Sequence, residues 1–537
     1  MRRRRVISLV LLLGAGAVAV AIVAALELTG SSRETLLHPA SHFLRTLPVP
    51  KLIHFRSRAR LPDLSARALN HFERTGLNDR TPKTHVSGER VVRSSDFPET
   101  RVLGTGGGAG MRVARQALVD KGHAVFIAEP DIATNGRRVM ITWNDGVGFS
   151  QDGGRHFRFV DPATAKGFPP AADGFCCDQV AVYAPGENLW LWLLQYWPDR
   201  TGANILRLAV GRGDTAFDTN TFQALDLSPR RYAWDTSPGA PAASFDYPDA
   251  ALTRQNLFLT ANVYLDDDYS GTLVLRIPLA DLAADAPTLQ NARWFTTKNF
   301  TAVLTAGATN TMYILSHSSN SALQLWSWAD GVANPVQYKP IQHTGYRYFG
   351  LVGYNCRRKG GPPASDWCER LQDFGPTNDD RPTTAWIANG VIGVAWNAQQ
   401  APAAGFPYPY VMVVQIDEKT KTVIDEPIIW NRRYAFQYLD AAPNARGDVG
   451  GLVLTGGGST YEGCAALGRA RSALGKHRWN ARLADRSNRD PSEAKAGDFL
   501  GVSPVTTTAS TWVGACNTLH GGRGPQNEGI RFVAFGR

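Results

Sequence analysis

A hairpin unit recurs from about residue 125 to the C-terminus, and few folds accommodate such a repeat. Each copy has a short apolar segment, a turn of Gly, Asn or small polar residues, and then a strand rich in β-branched and aromatic residues. The copies are ATNGRRVMITW (133–143), YAPGENLWLWLLQY (183–196), LTRQNLFLTANVY (252–264), LTAGATNTMYILSH (304–317), WIANGVIGVAWN (386–397), NARGDVGGLVLTGG (444–457) and VTTTASTWVGAC (505–516). They arrive about 50–80 residues apart, which suits one four-stranded propeller blade per copy. Further strand-like runs at Ile205–Val210, Thr272–Ile277 and Tyr410–Ile416 fit the same units. The sequence therefore predicts an all-β fold, a β-propeller of seven blades with six the alternative, spanning 111–537. The 52 Gly and 32 Pro agree with many short strands joined by turns.

The N-terminus reads as a membrane element. Arg2, Arg3, Arg4 and Arg5 precede an uncharged run from Val6 to Leu26. That length matches what a helix needs to cross the hydrocarbon core, at roughly 1.5 Å per residue. Arginines stay cytoplasmic, so the body of the chain is expected in the periplasm or at the cell exterior. The competing reading is a signal peptide cleaved near Ala19-Val20-Ala21, which would release a secreted protein. Either way the division is an anchor or signal over 1–28, a basic stalk with short helices over 29–110, and the propeller.

Charge is placed unevenly. Residues 1–100 hold sixteen Lys and Arg against eight Asp and Glu, a net +8 of the total +10. The near-neutral remainder excludes a nucleic-acid-binding body. A basic tether beside acidic headgroups fits, as does a solvated linker.

Outside the cytoplasm the six cysteines, Cys176, Cys177, Cys356, Cys368, Cys464 and Cys516, are able to oxidise. Cys356 with Cys368 would close a short loop, and Cys464 with Cys516 would tie two late repeats together. Cys176-Cys177 reads either as a vicinal disulfide or as two buried thiols. No CxxC pair points to a zinc ribbon.

One motif narrows the family. Ser150-Gln151-Asp152-Gly153-Gly154-Arg155-His156-Phe157 resembles the Asp-box (Ser-x-Asp-Gly-Gly-x-Thr-Trp) of the sialidase-like propeller superfamily, with His156 and Phe157 in the last two places. Gly211–Phe217 resembles a decayed copy, which accounts for the Arg212-Gly213-Asp214 tripeptide. The resemblance implies that Ser150, Asp152, Gly154 and Phe157 build a structural turn between two outer strands. It speaks to fold rather than activity. Arg276-Ile277-Pro278, the family's Arg-Ile-Pro motif, falls after the box, so no sialidase catalytic set is assigned.

Other catalytic patterns are absent: there is no HExxH and no Gly-x-Ser-x-Gly. Tyr461-Glu462 is a tempting pair, but neighbours on a strand point to opposite faces. What remains is a set of acids shortly before the hairpins: Asp131, Asp178, Asp249, Asp440 and Asp498. Inner strands converge on a propeller's axis, so these carboxylates are expected at one channel mouth, as ligand or acid/base groups. Gathered acids raise one another's pKa. No cofactor is expected unless these acids, or Asp266-Asp267-Asp268, hold Ca²⁺. The plainer reading has each Asp capping a turn or bonding the neighbouring blade's backbone. Two long connections, 345–381 and Arg469–Ala496, are expected to cover a face of the propeller. The first carries Arg347, Arg357, Arg358, Lys359, Asp366, Trp367, Asp379 and Asp380. The functional expectation is an extracytoplasmic recognition module for a glycan or envelope component. The alternatives are a glycoside hydrolase using carboxylates at the mouth and a scaffold in an envelope complex.

Overall fold

The computed structural model describes residues 93–103, 112–121, 128–144, 146–162, 174–199, 202–232, 242–266, 268–299, 301–319, 321–344, 356–357, 359–360, 381–471, 477–489, 500–520 and 528–536. The apolar run Val6–Leu26 and most of the stalk lie outside them. Among the described residues, no helix is long and apolar enough to cross a membrane.

The chain enters through β1 (Arg101–Leu103) and β2 (Arg112–Lys121), then runs through successive antiparallel meanders. The first is β3 (Asp131–Thr134), β4 (Val139–Trp143), β5 (Gly146–Ser150) and β6 (Arg158–Val160). The second is β7 (Phe175–Ala184), β8 (Leu189–Tyr196), β9 (Leu206–Arg212) and β10 (Gln223–Leu227), with helix α1 (Gly213–Thr219) between the last two. The third is β11 (Ala243–Leu252), β12 (Asn256–Leu265), β13 (Asp268–Pro278) and β14 (Arg293–Thr297). The fourth is β15 (Val303–Ala306), β16 (Thr311–Ser319), β17 (Ala322–Ala329) and the short β18 (Val336–Gln337) and β19 (Ile341–Gln342). The fifth is β20 (Pro382–Ala388), β21 (Val391–Ala398), β22 (Tyr410–Asp417) and the short β23 (Val423–Asp425) and β24 (Ile428–Ile429). The sixth is β25 (Ala435–Pro443), β26 (Val449–Gly457), β27 (Thr460–Arg471) and β28 (His477–Arg486). The last is β29 (Gly501–Pro504), β30 (Thr511–Leu519) and β31 (Glu528–Gly536).

The first strands of the meanders form a closed ring. β3 packs beside β7, then β11, β15, β20, β25 and β29 follow in order, and β29 returns to β3. This is a β-propeller. Each expected hairpin supplies the two innermost strands of one meander. The ring is closed by the chain's beginning: β2 pairs antiparallel with β31 and becomes the outermost strand of the last meander. β1, within the segment read as a stalk, pairs in parallel with β28.

Hydrophobic clusters fill the spaces between successive meanders. One joins Met140 and Phe149 to Trp190 and Trp192, and another joins Leu191 and Leu208 to Phe245 and Leu259. The series continues through Phe258 with Trp328, Leu315 with Trp396, Val413 with Phe436, and Leu454 with Trp512. Strands buried on both faces need no polar side, which is why Leu189–Tyr196 reads LWLWLLQY without alternation. Arg469–Ala496 corrects an expectation: it is not a free connection, because β28 runs through it.

Two disulfides were legible as options. Cys176 and Cys177 are joined to each other on β7. Cys464 on β27 is joined to Cys516 on β30, linking the last two meanders, and Cys356 is also disulfide-bonded. Cys368 lies outside the described residues. The Cys464–Cys516 bridge spans 52 residues, for which chain-entropy reasoning gives about 4 kcal/mol. The double variant Cys464→Ala/Cys516→Ala should therefore show a clear drop in Tm by calorimetry, and addition of reductant should produce no further drop at this bridge.

Candidate functional site

Asp131, Asp249 and Asp440 occupy one level of the ring. Each lies three residues before the closing pair of its hairpin: Thr134↔Val139, Leu252↔Leu257 and Pro443↔Val449. Each carboxylate reaches across to the next inner strand. Asp131 Oδ2 accepts from the Ala181 N–H at 2.8 Å, Asp249 Oδ2 from Leu304 at 3.0 Å, and Asp440 Oδ2 from Val502 at 2.7 Å. Asp249 and Asp440 also accept from the N–H that follows them, and Thr384 Oγ1 donates to Asp440 at 3.0 Å. On β29 the same level holds Gly501, where a Cβ would strike Asp131 Oδ1.

Protein surrounds these three acids, yet each keeps an intermediate share of accessible surface, as expected of groups facing a narrow axial channel. Burial pushes Asp131 up to about 8, with the Asp440 and then the Asp249 charge adding to it. Burial pushes Asp440 up to about 7, again with a contribution from Asp249, and Asp249 up to about 6. The three stand on β3, β11 and β25, three of the inner strands that ring the axis. Among the described residues, no three His, Cys, Asp or Glu side chains are placed to hold a metal ion.

The other two expected acids differ. Asp178 is buried but lies three residues upstream of Ala181, inside a register break of β7. It does not share the level of the axial three. Asp498 lies outside the described residues, as do Arg347, Arg358, Asp366, Trp367, Asp379 and Asp380 of the first long connection. Asp267 is also outside them, and Asp266 Oδ1 caps the Ala242 N–H at 2.8 Å.

Register breaks recur just upstream of the axial acids. They fall between Asp246 and Asp249 and between Gln437 and Asp440. Tyr247 and Tyr438, two residues before their acids, take φ of 51° and 53°, and Glu129, two before Asp131, takes 43°. Positive φ at non-glycine residues is costly and has to be held by its surroundings. In β7 the corresponding break carries the joined Cys176-Cys177 pair. Arg381 stacks over the Tyr247 ring at 3.9 Å.

A second ring of residues escaped the sequence reading. Near the end of each second strand stands a buried polar side chain: Asn144, Gln195, Asn262, His317, Asn397, Thr455 and Asn517. The strands are antiparallel, so this layer lies at the end where the inner strands begin. Several of its members hold a following segment in place. Gln195 Nε2 donates to Asp246, Asn262 Oδ1 accepts from Thr301, and Asn397 Oδ1 accepts from the Tyr438 N–H at 2.8 Å. Asn144 Nδ2 donates to Glu129 at 2.6 Å. The signal was present in the sequence as a polar residue closing each hydrophobic run (TWN, LLQ, TAN, LSH, AWN, LVLT, ACN).

Glu462 stands out beside this layer. It is 1% exposed, neither carboxylate oxygen has a hydrogen-bond partner, and burial pushes it up to about 8. The register breaks between Thr455 and Gly457 opposite Tyr461-Glu462. Tyr461 is partly exposed.

The Ser150–Phe157 segment forms the turn between β5 and β6. Asp152 Oδ1 accepts from the Arg155 and His156 N–H groups at 3.0 Å each, and Ser150 Oγ accepts from Gly154 at 2.8 Å. Gly154 has φ 80° and sits under the Phe532 ring, while Phe157 packs 5.8 Å from the same ring. This turn thus seals the last meander against the first. Gly211–Phe217 occupies the equivalent connection, but α1 replaces a turn there: Asp214 and Asp218 pair with Arg138, and Phe217 is buried against Trp190. Arg276 lies over the Trp328 ring at 4.5 Å and donates to Val332 O, a packing role.

No family model matches the chain, and no curated protein matches it. Solved structures do resemble it distantly. An α-L-arabinofuranosidase from Fusarium graminearum aligns over 76% of this chain and 92% of its own, at 10% identity and a TM-score of 0.35. An α-L-arabinanase from Penicillium chrysogenum aligns over 79% and 98%, at 10% identity and 0.35. The propeller domain of the Trilobed protease from Pyrococcus furiosus aligns over 63% and 93%, at 9% identity and 0.30. The architecture rests on the closed ring of inner strands rather than on these distant likenesses.

The raised carboxyls fix a pH dependence. In the unfolded chain they ionise near 4, whereas in the fold they stay protonated to between about 6 and 8. The folded state therefore binds more protons across that window, and stability falls as pH rises through it. Thermal melts from pH 5 to pH 9 should show a falling Tm, and Asp131→Asn should flatten that slope.

Proposed function

We propose that this chain is a seven-bladed, sialidase-like propeller that recognises a glycan or another envelope component and is held outside the cytoplasm by its N-terminal helix. The Asp152 turn supports the sialidase-like part of the reading, and the seven inner strands of the ring support the blade count. The observation that carries the binding role is the polar layer of amide, hydroxyl and imidazole groups where the inner strands begin. Such groups suit a ligand rich in hydroxyls, since each donates, accepts or does both. The axial carboxylates, which a glycoside hydrolase would use, are occupied by backbone N–H donors. Binding is thus the better reading of the site, with Ca²⁺ left as an optional ligand of the mouth.

The full-length protein, solubilised in mild detergent, should retain a restricted set of glycans on an array of bacterial and plant saccharides. Calcium chelation would show whether the ion takes part. A chain that retains no saccharide while remaining folded by melting would overturn the reading. Membrane tethering is checked by fractionation: the chain should stay in carbonate-washed membranes, and Leu11→Arg/Leu12→Arg should release it or block its export.

A further inference from the structure

The outer rim of the ring is finished in two ways. The last two meanders are edged by the chain's own beginning: β2 lies outside β31, and β1 lies beside β28 opposite residues 480–482. Each step toward the N-terminus also moves back one blade. Residues 93–100 lie on the fifth meander, where Ser94 sits against Gly405, Phe97 packs on the cluster of Trp430, and the Thr100 N–H donates to Trp430 O at 2.9 Å. The beginning of the chain thus runs as a belt over the fifth, sixth and seventh blades.

The third, fourth and fifth blades carry every exposed large apolar side chain among the described residues. These are Trp294 on β14, Val332 just before β18, Val336 on β18, and Ile424 on β23, and these strands are the outermost of their meanders. All lie toward the end of the ring where the inner hairpins turn. Trp294 pairs with Leu275, Val336 with Ser327, and Ile424 falls opposite Gln415 and Ile416, each close to the end of its meander's third strand. At the same height the first and second meanders present Arg158 and Gln223. Two tryptophans show what the belt does. Trp479 and Trp294 hold matching places, each near the start of its meander's fourth strand and packed toward the preceding blade. Val102 of β1 packs on the cluster of Trp479, which is 2% exposed. Among the described residues no such strand lies beside Trp294, which is 40% exposed.

We propose that residues 61–92 continue the belt, docking on the outer strands of the fifth, fourth and third blades and covering Ile424, Val336, Val332 and Trp294. The occupant is this chain's own because the interface already formed reaches the fifth blade at residue 93, one step from the uncovered edge. Length suffices: these thirty-two residues reach about 100 Å when extended, against blade steps of roughly 10 Å where sheets pack and somewhat more at the rim. Leu61, Leu64, Ala68 and Phe72 recur at the spacing of one helix face, and Val91-Val92 adjoin the described chain. Covering these side chains removes apolar surface from water and closes strand edges that would otherwise invite pairing with another chain. The docking is independent of glycan recognition. On the anchored reading above, it shortens the free tether to residues 27–60.

The test uses full-length protein in mild detergent, digested briefly with trypsin and separately treated with an amine-reactive cross-linker. Arg67, Arg74, Arg80, Lys83 and Arg90 should resist cleavage, and Lys83 should link to Lys298, Lys339 or Lys419 beside the rim. The double variant Trp294→Ser/Val336→Ser should speed cleavage at those five sites at least tenfold while the propeller itself stays resistant. Wild-type cleavage as fast as the variant's, or no link from Lys83 to the three rim lysines, would overturn the docking. The cross-links decide the matter even if the variant folds poorly. Links that join isotopically labelled to unlabelled copies would assign the rim to a second copy. Protection seen only in phosphatidylglycerol vesicles would assign it to a bilayer. Either result overturns the proposal.

Discussion

Three junctions of the ring are held by carboxylates that reach across from one inner strand to the next. Neighbouring blades pack face to face rather than edge to edge, so their inner strands lack the continuous ladder that joins strands within a sheet. β15 and β20 make two parallel pairings, Thr305↔Ala385 and Ala306↔Trp386. At three other junctions a side-chain carboxylate takes a backbone N–H of the next inner strand. Asp131, Asp249 and Asp440 do so for Ala181, Leu304 and Val502. Unpaired buried N–H groups are costly, so each such bond both satisfies a donor and sets the height of one blade against the next.

That arrangement has an electrostatic consequence. Burial pushes each of the three carboxyls upward, and the charges of Asp440 and Asp249 add to the rise at Asp131, as that of Asp249 does at Asp440. A protonated Asp still accepts from a backbone N–H through its carbonyl oxygen, so the staple survives without the charge. Space is limited as well: Gly501 leaves the room that the Asp131 carboxyl needs. The positive φ at Glu129, Tyr247 and Tyr438 belongs to the same construction, because the register breaks deliver each acid to its height.

Much of the fold was legible because propeller blades repeat locally. Each inner hairpin, such as 183–196 or 386–397, carries its turn and both strands within a dozen or so residues. The acids before the hairpins were legible too, although their use was not: pattern reading could not say whether Asp249 faces a ligand or the Leu304 N–H. Two features lay beyond local pattern. β2 closes the last blade against β31, and nothing in the sequence near Arg112 announces a partner so far along the chain. β28 hid in a basic stretch because an outer strand presents a polar face and lacks the apolar run of a core strand. The polar residues closing each second strand were visible one at a time. Their meaning emerged once seven of them lay at the same end of the ring.

Those residues are unequally satisfied. A repeated scaffold solves the same problem in the same way, as Asn397 does for Tyr438 and Asn262 for Thr301. Where the repeat keeps its polar residue but drops the partner, stability is no longer the reason for keeping it. Gln437, in one row with Leu454 and Cys464, and Glu462, two residues from Cys464, show this departure in the sixth meander. An apolar side chain at any of these positions would pack without the penalty of an unmade hydrogen bond.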